Sequence, residues 1–272
     1  MSFYSTVLFF LIATPLIAGD VQRFSFPVAP EMGRADVYVT ITVPMPKAIL
    51  VLCPGRNGSA EEWMKQKEWL DFAKGNELGL VGISFASPDS AIPDAHGYWF
   101  AAQGSGQLLL NALHKIYGRD LPILLYGFSA GAVFTNQFVD WKPDRVIAWS
   151  AYAGDDNEQT KNENSPPGIN ACGEYDGGHY GASLSYFKQG RAFGKPWLWV
   201  SLSKTEHARS PSLEEFTREY FQSVMQKEKA PCWVDIDLKK EITFSEAGQL
   251  PSVSGWLPDQ KLLETWMKLH EP

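Results

Sequence analysis

Residues 122–126, Pro-Ile-Leu-Leu-Tyr, run directly into Gly127-Phe128-Ser129-Ala130-Gly131, and an apolar segment of helical spacing follows over 130–139. The pentapeptide fits G-x-S-x-G, in which a serine occupies a sharp turn between a buried strand and a helix. Such a turn strains the backbone of its central residue, and the flanking glycines permit it because they carry no Cβ that would clash. The context predicts that the Ser129 hydroxyl projects from the top of a sheet as a nucleophile. The alternative is a chance pentapeptide in a loop.

The rest of the chain alternates short apolar runs with segments of helical spacing. The apolar runs, typical of strands buried on both faces, are 48–53, 80–83, 122–126, 146–149 and 197–200, and 169–173 is a further plausible strand. The helical segments are 61–74, 107–117 and 130–139. The segment 35–43 alternates apolar and polar residues, which predicts a half-buried strand near the sheet edge. This order predicts an α/β fold with a mainly parallel central sheet and helices on both faces, whose ligands gather at the carboxyl ends of the strands.

Composition bounds the domain organisation and the partners. The chain has 272 residues, of which 44% are hydrophobic and 20% charged, which suits one globular domain over 19–272. A net charge of −7 disfavours nucleic acid as a partner. The sequence has no H-E-x-x-H, no clustered Cys/His pattern, no Walker loop and no G-x-G-x-x-G after the first strand, so we expect neither a metal nor a cofactor. The oligomeric state is left open.

The first residues are typical of a signal peptide. An apolar run over 7–13 is followed by a second over 15–18, with small residues at Ala18 and Gly19. This length is too short for a membrane span and predicts a cleaved leader over 1–18, hence a secreted or periplasmic protein without a later span. The amino-terminal region lacks Lys and Arg, so an uncleaved anchor is the alternative.

The three cysteines are Cys53, Cys172 and Cys232. Their odd number leaves at least one thiol free, and buried small hydrophobes are the simplest interpretation of the first two. A bridge between Cys172 and Cys232 stays open.

The G-x-S-x-G pentapeptide at 127–131, with a predicted strand before it and a predicted helix after it, resembles that of α/β-hydrolases. More narrowly, the chain resembles the secreted esterases related to polyhydroxyalkanoate depolymerases and feruloyl esterases. The resemblance spans roughly 35–225. Where such enzymes commonly carry His-Gly after the third strand, this chain has Cys53-Pro54-Gly55. The resemblance implies hydrolysis of a small-molecule or polymer-linked carboxylic ester through an acyl-enzyme on Ser129, without a cofactor. A peptidase on the same fold and a non-catalytic binding module are the alternatives, and the particular ester is not determined.

The resemblance also implies a catalytic triad in the chain order serine, acid, histidine. His207 follows the strand-like run 197–201 and would be the base that takes the Ser129 proton. Asp176 follows the run 169–173 and would be the carboxylate that orients His207.

Other acids and histidines compete for these roles. The competing carboxylates are Glu174, Asp155 and Asp156, and the remaining histidines are His96, His114, His179 and His270. Of these histidines, two precede the serine, one lies too close to the acid and one sits at the tail. For His207 itself the alternative is a solvated loop residue.

Two backbone N–H groups and two aromatic rings complete the predicted site. The N–H groups of Arg56 and Ala130 are the implied oxyanion donors, and an ordinary turn is the alternative for Arg56. Trp149 and Tyr152 end the strand next to the one that leads into the turn at Ser129. At least one of them is therefore a candidate to line a substrate pocket, and a place in the hydrophobic core is the alternative.

Export predicts that the mature protein begins near Gly19 or Asp20, because small residues close the apolar segment there. Mass spectrometry of the native protein measures this directly. An intact Met1 on protein from the cytoplasmic fraction would contradict the prediction.

Overall fold

An eight-stranded sheet forms the centre of the computed structural model, which describes residues 20–28, 32–88, 97–154, 164–226 and 230–271. Its strands are β1 (Val21–Ser25), β2 (Arg34–Thr40), β3 (Ala48–Cys53), β4 (Leu78–Ala86), β5 (Ile123–Phe128), β6 (Val146–Tyr152), β7 (Gly168–Gly173) and β8 (Trp197–Leu202). Their spatial order is β1-β2-β4-β3-β5-β6-β7-β8. β2 is antiparallel to both of its neighbours, and the pairs from β4 to β8 are parallel. The mainly parallel sheet expected from the sequence is confirmed.

Helices lie on both faces of this sheet, and two more follow it near the end of the chain. They are α1 (Glu61–Met64), α2 (Lys67–Gly75), α3 (Ser105–Tyr117), α4 (Ala130–Trp141), α5 (Tyr180–Ala192), α6 (Pro211–Met225), α7 (Phe244–Gln249) and α8 (Leu263–Lys268). Successive residues of a strand point to opposite faces. Tyr126 contacts Trp69 of α2 and Glu214 of α6, whereas a Cβ on Gly127 would meet Thr135 of α4. Helices α2 and α6 therefore lie on one face and α4 on the other.

The predicted helix over 61–74 is two helices in the structure. The backbone of Gln66 is extended (ψ 123°) and separates α1 from α2. The rings of Trp63 and Trp69 both pack on Tyr126, with centroids 5.8 and 5.1 Å away. In an unbroken helix these two positions would point about 120° apart. The break lets both tryptophans reach the same buried tyrosine.

A small antiparallel sheet near the end of the chain was not predicted from the sequence. Its strands, in the order β10-β9-β11, are β9 (Cys232–Asp235), β10 (Lys240–Ile242) and β11 (Ser254–Leu257). Arg191 of α5 donates to the carbonyl of Ser254 (2.7 Å), and Trp266 donates to the carbonyl of Trp199 in β8 (2.9 Å). These bonds attach the C-terminal part to the β8 edge of the main sheet.

The cysteines and the membrane prediction have separate outcomes. Cys53, Cys172 and Cys232 are all free and buried, so no bridge joins the last two. Within the described ranges, no helix has the length and apolar character needed to cross a bilayer. The predicted leader over 1–18 lies outside the described residues, and export stays a prediction.

Candidate active site

Ser129 occupies a strained turn between β5 and α4. Its backbone has φ 56° and ψ −126°, a region that costs a non-glycine residue about 1–3 kcal/mol. The Ser129 N–H donates to the carbonyl of Tyr152 in β6 (2.9 Å), and its carbonyl accepts from the N–H groups of Ala132 (2.8 Å) and Val133 (3.1 Å). The neighbouring strand and the first turn of α4 thus hold the strained residue in place.

The glycines on either side are required by close approach. A Cβ on Gly127 would lie 2.2 Å from the carbonyl oxygen of Gly131, and a Cβ on Gly131 would lie 2.0 Å from that of Cys53. Both distances are far below any real Cβ contact. Packing of the turn against β3 and α4 therefore explains the glycines of the pentapeptide.

The three side chains predicted to form a triad are brought together. The Ser129 Oγ lies 3.0 Å from Nε2 of His207, and Nδ1 of His207 lies 2.7 Å from Oδ2 of Asp176. Asp176 follows β7 and His207 follows β8, and these two strands are parallel neighbours. Their carboxyl ends consequently meet at one edge of the sheet, close to the carboxyl end of β5.

The Asp176 carboxylate is buried and ionised. Burial by itself raises its pKa, but hydrogen bonds from His207 and His179 outweigh this and hold the pKa of Asp176 below its usual value. An ionised carboxylate only accepts hydrogen bonds, so a neutral His207 ring carries its proton on Nδ1. Its Nε2 is then free to accept the proton of the Ser129 hydroxyl.

His179, set aside in the sequence analysis because it lies too close to the acid in the chain, is a neighbour of Asp176 in the structure. Its Nδ1 lies 2.8 Å from Oδ1 of Asp176, and its ring stacks on that of His207 with centroids 4.4 Å apart. The two histidines therefore share one carboxylate. The available sequence signal was the spacing Asp-x-x-His in the turn before α5, in which the N–H of His179 donates to the carbonyl of Asp176 (3.1 Å).

The loop that carries His207 is held by residues distant in sequence. The guanidinium of Arg209 lies 2.6 Å from the buried carboxylate of Glu214, donates to Gln66 (2.9 Å) and lies 4.0 Å from the centre of the Trp63 ring. Partners from α6, the α1–α2 break and α1 thereby fix the backbone two residues after His207. No local sequence pattern marks this arrangement.

Apart from His179, the competing acids and bases lie elsewhere or outside the described residues. Glu174 is exposed, and its carboxylate accepts from the N–H of Lys204 (3.2 Å) rather than from His207. His114 pairs with Asp120 on the surface (3.1 Å). His270 is buried beside Trp266. The positions of Asp155, Asp156 and His96 fall outside the described residues.

The prediction that Trp149 or Tyr152 walls a pocket needs correction, because both side chains are fully buried. Trp149 packs edge-on against Trp197 and pairs with Leu125, four residues before Ser129 in the chain. At about 3.3 Å per strand residue, this places Trp149 about 13 Å from the serine. The sequence run was correct for a strand, but the sheet register puts this ring in the core.

Tyr152 supports the site from within the fold. Its ring packs on Phe128 (centroids 5.4 Å apart), and its hydroxyl donates to the carbonyl of Ala208 (2.7 Å). Its own carbonyl accepts from the N–H of Ser129. Tyr152 thus connects the turn at Ser129 to the loop that carries His207.

The loop after β3, which carries Arg56, lies against the serine. A Cβ on Gly55 would sit 3.3 Å from Cβ of Ser129. Among the described residues, no backbone acceptor takes the N–H of Arg56 or that of Ala130. Ala130 is the first residue of α4, where an N–H has no partner within the helix. The Arg56 side chain is exposed and lies 5.9 Å from the ring centre of Trp99.

Solved structures share this architecture. A thermostable carboxylesterase cloned from a metagenomic library superposes with a TM-score of 0.58 at 14% identity, covering 78% of this chain and 92% of that one. A hyperthermophilic esterase from Pyrobaculum calidifontis gives 0.55 at 13% identity, with 76% and 86% covered. A fluorophosphonate-binding serine hydrolase of Staphylococcus aureus gives 0.52 at 13% identity, with 77% and 100% covered. The chain has an α/β-hydrolase fold.

Sequence similarity is more limited. Feruloyl esterase B of Thermothelomyces thermophilus is 26% identical over 155 residues, which cover 54% of this chain and 53% of that protein. The chain therefore spans about half the length of the curated relative it matches. No family model matches the chain.

Replacing Asp176 with Asn should change how stability depends on pH. The folded-state pKa of Asp176 lies below its unfolded value of about 3.9, so the ionised carboxylate stabilises the fold above about pH 4 and loses this effect as pH falls through the folded pKa. Urea unfolding of both proteins between about pH 6 and pH 2.5 measures the difference in free energy. We expect wild type to be the more stable at pH 6 and the difference to shrink in acid. A difference that stays constant or grows in acid would contradict the assignment.

Proposed function

We propose that the chain is a serine esterase that hydrolyses carboxylic esters through an acyl-enzyme on Ser129. The observation that carries the proposal is the hydrogen-bonded series from Ser129 Oγ through His207 to the buried Asp176 carboxylate. It begins on a strained turn at the carboxyl edge of the sheet, where ligands of such sheets bind. A serine with an adjacent base and an orienting carboxylate is the arrangement that activates a hydroxyl for attack.

The proposed reaction has two halves. Nε2 of His207 takes the Ser129 proton while Oγ attacks the ester carbon, and the carbonyl electrons move onto its oxygen. The N–H groups of Arg56 and Ala130 stabilise this oxyanion, and Asp176 stabilises the His207 imidazolium. The oxyanion collapses, and the alcohol leaves with the histidine proton. Water then attacks the acyl carbon as His207 takes its proton, and the second oxyanion collapses. The bond from the acyl carbon to Oγ breaks, the acid leaves, and His207 returns the proton to Ser129.

Ester rather than amide hydrolysis has support from the similar proteins. The relative that matches in sequence is a feruloyl esterase, and two of the structural neighbours are esterases. The first substrates to test are therefore small-molecule esters of aromatic acids, followed by the same acyl groups linked to polymers. The choice among acetyl, feruloyl, polyester and lipid esters needs a substrate profile.

Ser129→Ala should lower kcat for ester hydrolysis by at least about 10⁴-fold without lowering the unfolding temperature, since loss of the nucleophile removes the function of the whole triad. Ser203→Ala, at a half-buried serine after β8, is the control and should keep wild-type turnover. His207→Gln should resemble Ser129→Ala, and His179→Gln should not. Persistent turnover in pure Ser129→Ala protein would disprove the mechanism.

Two variants at Arg56 separate its backbone from its side chain. Arg56→Pro removes the proposed oxyanion N–H and should lower kcat by about 10²–10³-fold, because each such donor contributes about that much. Arg56→Ala keeps the N–H and should change kcat far less. Steady-state kinetics with an uncharged chromogenic ester measures both, and circular dichroism checks the fold. An equal loss of kcat in both variants would instead show that the Arg56 guanidinium, and not its backbone N–H, stabilises the oxyanion.

A further inference from the structure

Asp176, His179 and His207 also group together as metal-ligating side chains. One ligand atom from each lies within 4.8 Å of the other two. Both histidines direct Nδ1 toward the same carboxylate, at 2.8 Å for His179 and 2.7 Å for His207. In the proposed triad Asp176 needs to orient only His207, so the second histidine has no role in that mechanism.

We propose that these three side chains bind a zinc ion and that the bound zinc inhibits the esterase. Two imidazole nitrogens and a carboxylate oxygen are donors that Zn²⁺ prefers, and a water molecule would complete a four-coordinate site. A divalent cation also compensates the charge of the Asp176 carboxylate, which is only 5% exposed.

The geometry needs a small adjustment to accept the ion. Zinc bonds of about 2.0–2.1 Å in tetrahedral directions place neighbouring ligand atoms about 3.3 Å apart. The present contacts reach different carboxylate oxygens, Oδ1 for His179 and Oδ2 for His207. The three ligand atoms lie within 4.8 Å of one another, so the rings must shift to bring one oxygen and both nitrogens to this spacing. The side chains of His179 and His207 are 29% and 36% exposed, and His207 lies in a loop between β8 and α6. Their partial exposure gives the rings room for this movement and gives the ion a path from solvent.

Inhibition follows from the position of one proton. In the proposed esterase, His207 carries its proton on Nδ1 and accepts the Ser129 proton on Nε2. When zinc occupies Nδ1, the neutral ring carries its proton on Nε2, which has no lone pair left for the serine. The ring still carries one proton, but Nε2 of His207 can no longer accept the proton of Ser129. The inhibitory effect rests on the proposed esterase function, whereas zinc binding does not.

The chain offers a matched control for ordinary surface binding. His114 pairs with Asp120 through Nδ1 at 3.1 Å, and both side chains are more than 60% exposed. This pair has the same donor chemistry as His207 with Asp176. Among the described residues, it belongs to no group of three metal-ligating side chains.

Competition between the full chain and a chromogenic chelator for ZnCl₂ measures the binding. We expect one zinc per wild-type chain and a dissociation constant at least about 100-fold weaker in His179→Gln and in His207→Gln, because each variant loses a ligand. Ser129→Ala and His114→Gln should bind as wild type does. Zinc X-ray absorption of the wild-type complex should show two imidazole ligands, a measurement that holds even if a variant fails to fold.

Activity provides the second readout. Zinc should inhibit ester hydrolysis by wild type, EDTA should restore it, and His179→Gln should resist the same zinc concentration. Wild-type affinity in His179→Gln, or a zinc complex with fewer than two imidazoles, would overturn the proposal. Zinc binding without any esterase activity would leave the metal site standing and refute only the proposed function.

Discussion

Ser129 has a left-handed backbone that an L-residue adopts only at a cost of about 1–3 kcal/mol, so its neighbours must hold it there. The contacts that do so come from three directions. β6 accepts the serine N–H, the first turn of α4 donates to its carbonyl, and β3 lies so close that Gly131 cannot carry a side chain. The turn is therefore a product of the whole sheet and its covering helix. Its strain fixes where the hydroxyl points, and the rest of the site is arranged around that direction.

The histidine and the carboxylate reach Ser129 because parallel strands end at a common edge. β7 and β8 deliver Asp176 and His207 to the carboxyl edge shared with β5, and each side chain is restrained by residues outside the reaction. Tyr152 bonds the backbone next to His207, and the Arg209–Glu214 ion pair holds the loop beyond it. Such support keeps a proposed base within hydrogen-bond distance of the serine without relying on the substrate to assemble the site. The ring of His179 stacks on that of His207 and makes a second contact with the same carboxylate.

Sequence reasoning succeeded where a local pattern has a single structural solution. Buried apolar runs became strands, and the glycines around Ser129 identified a turn that tolerates no side chains at two positions. It failed where the answer depends on register or on distant partners. Trp149 ends an apolar run that was expected to lie near Ser129. It pairs instead with Leu125, and its ring packs against Trp197 in the hydrophobic core. The break at Gln66, the small C-terminal sheet and the shared use of Asp176 by His179 depend on tertiary packing, which overrides local propensity.

Reaction with a fluorophosphonate probe, followed by peptide mass spectrometry, reports whether His207 activates the hydroxyl of Ser129. A fluorophosphonate forms a stable phosphonyl ester only with an activated serine, so the result does not depend on knowing the natural ester. We expect one adduct per chain, located on Ser129, with labelling strongly slowed in His207→Gln. An adduct on another serine, or none on folded wild-type protein, would contradict it.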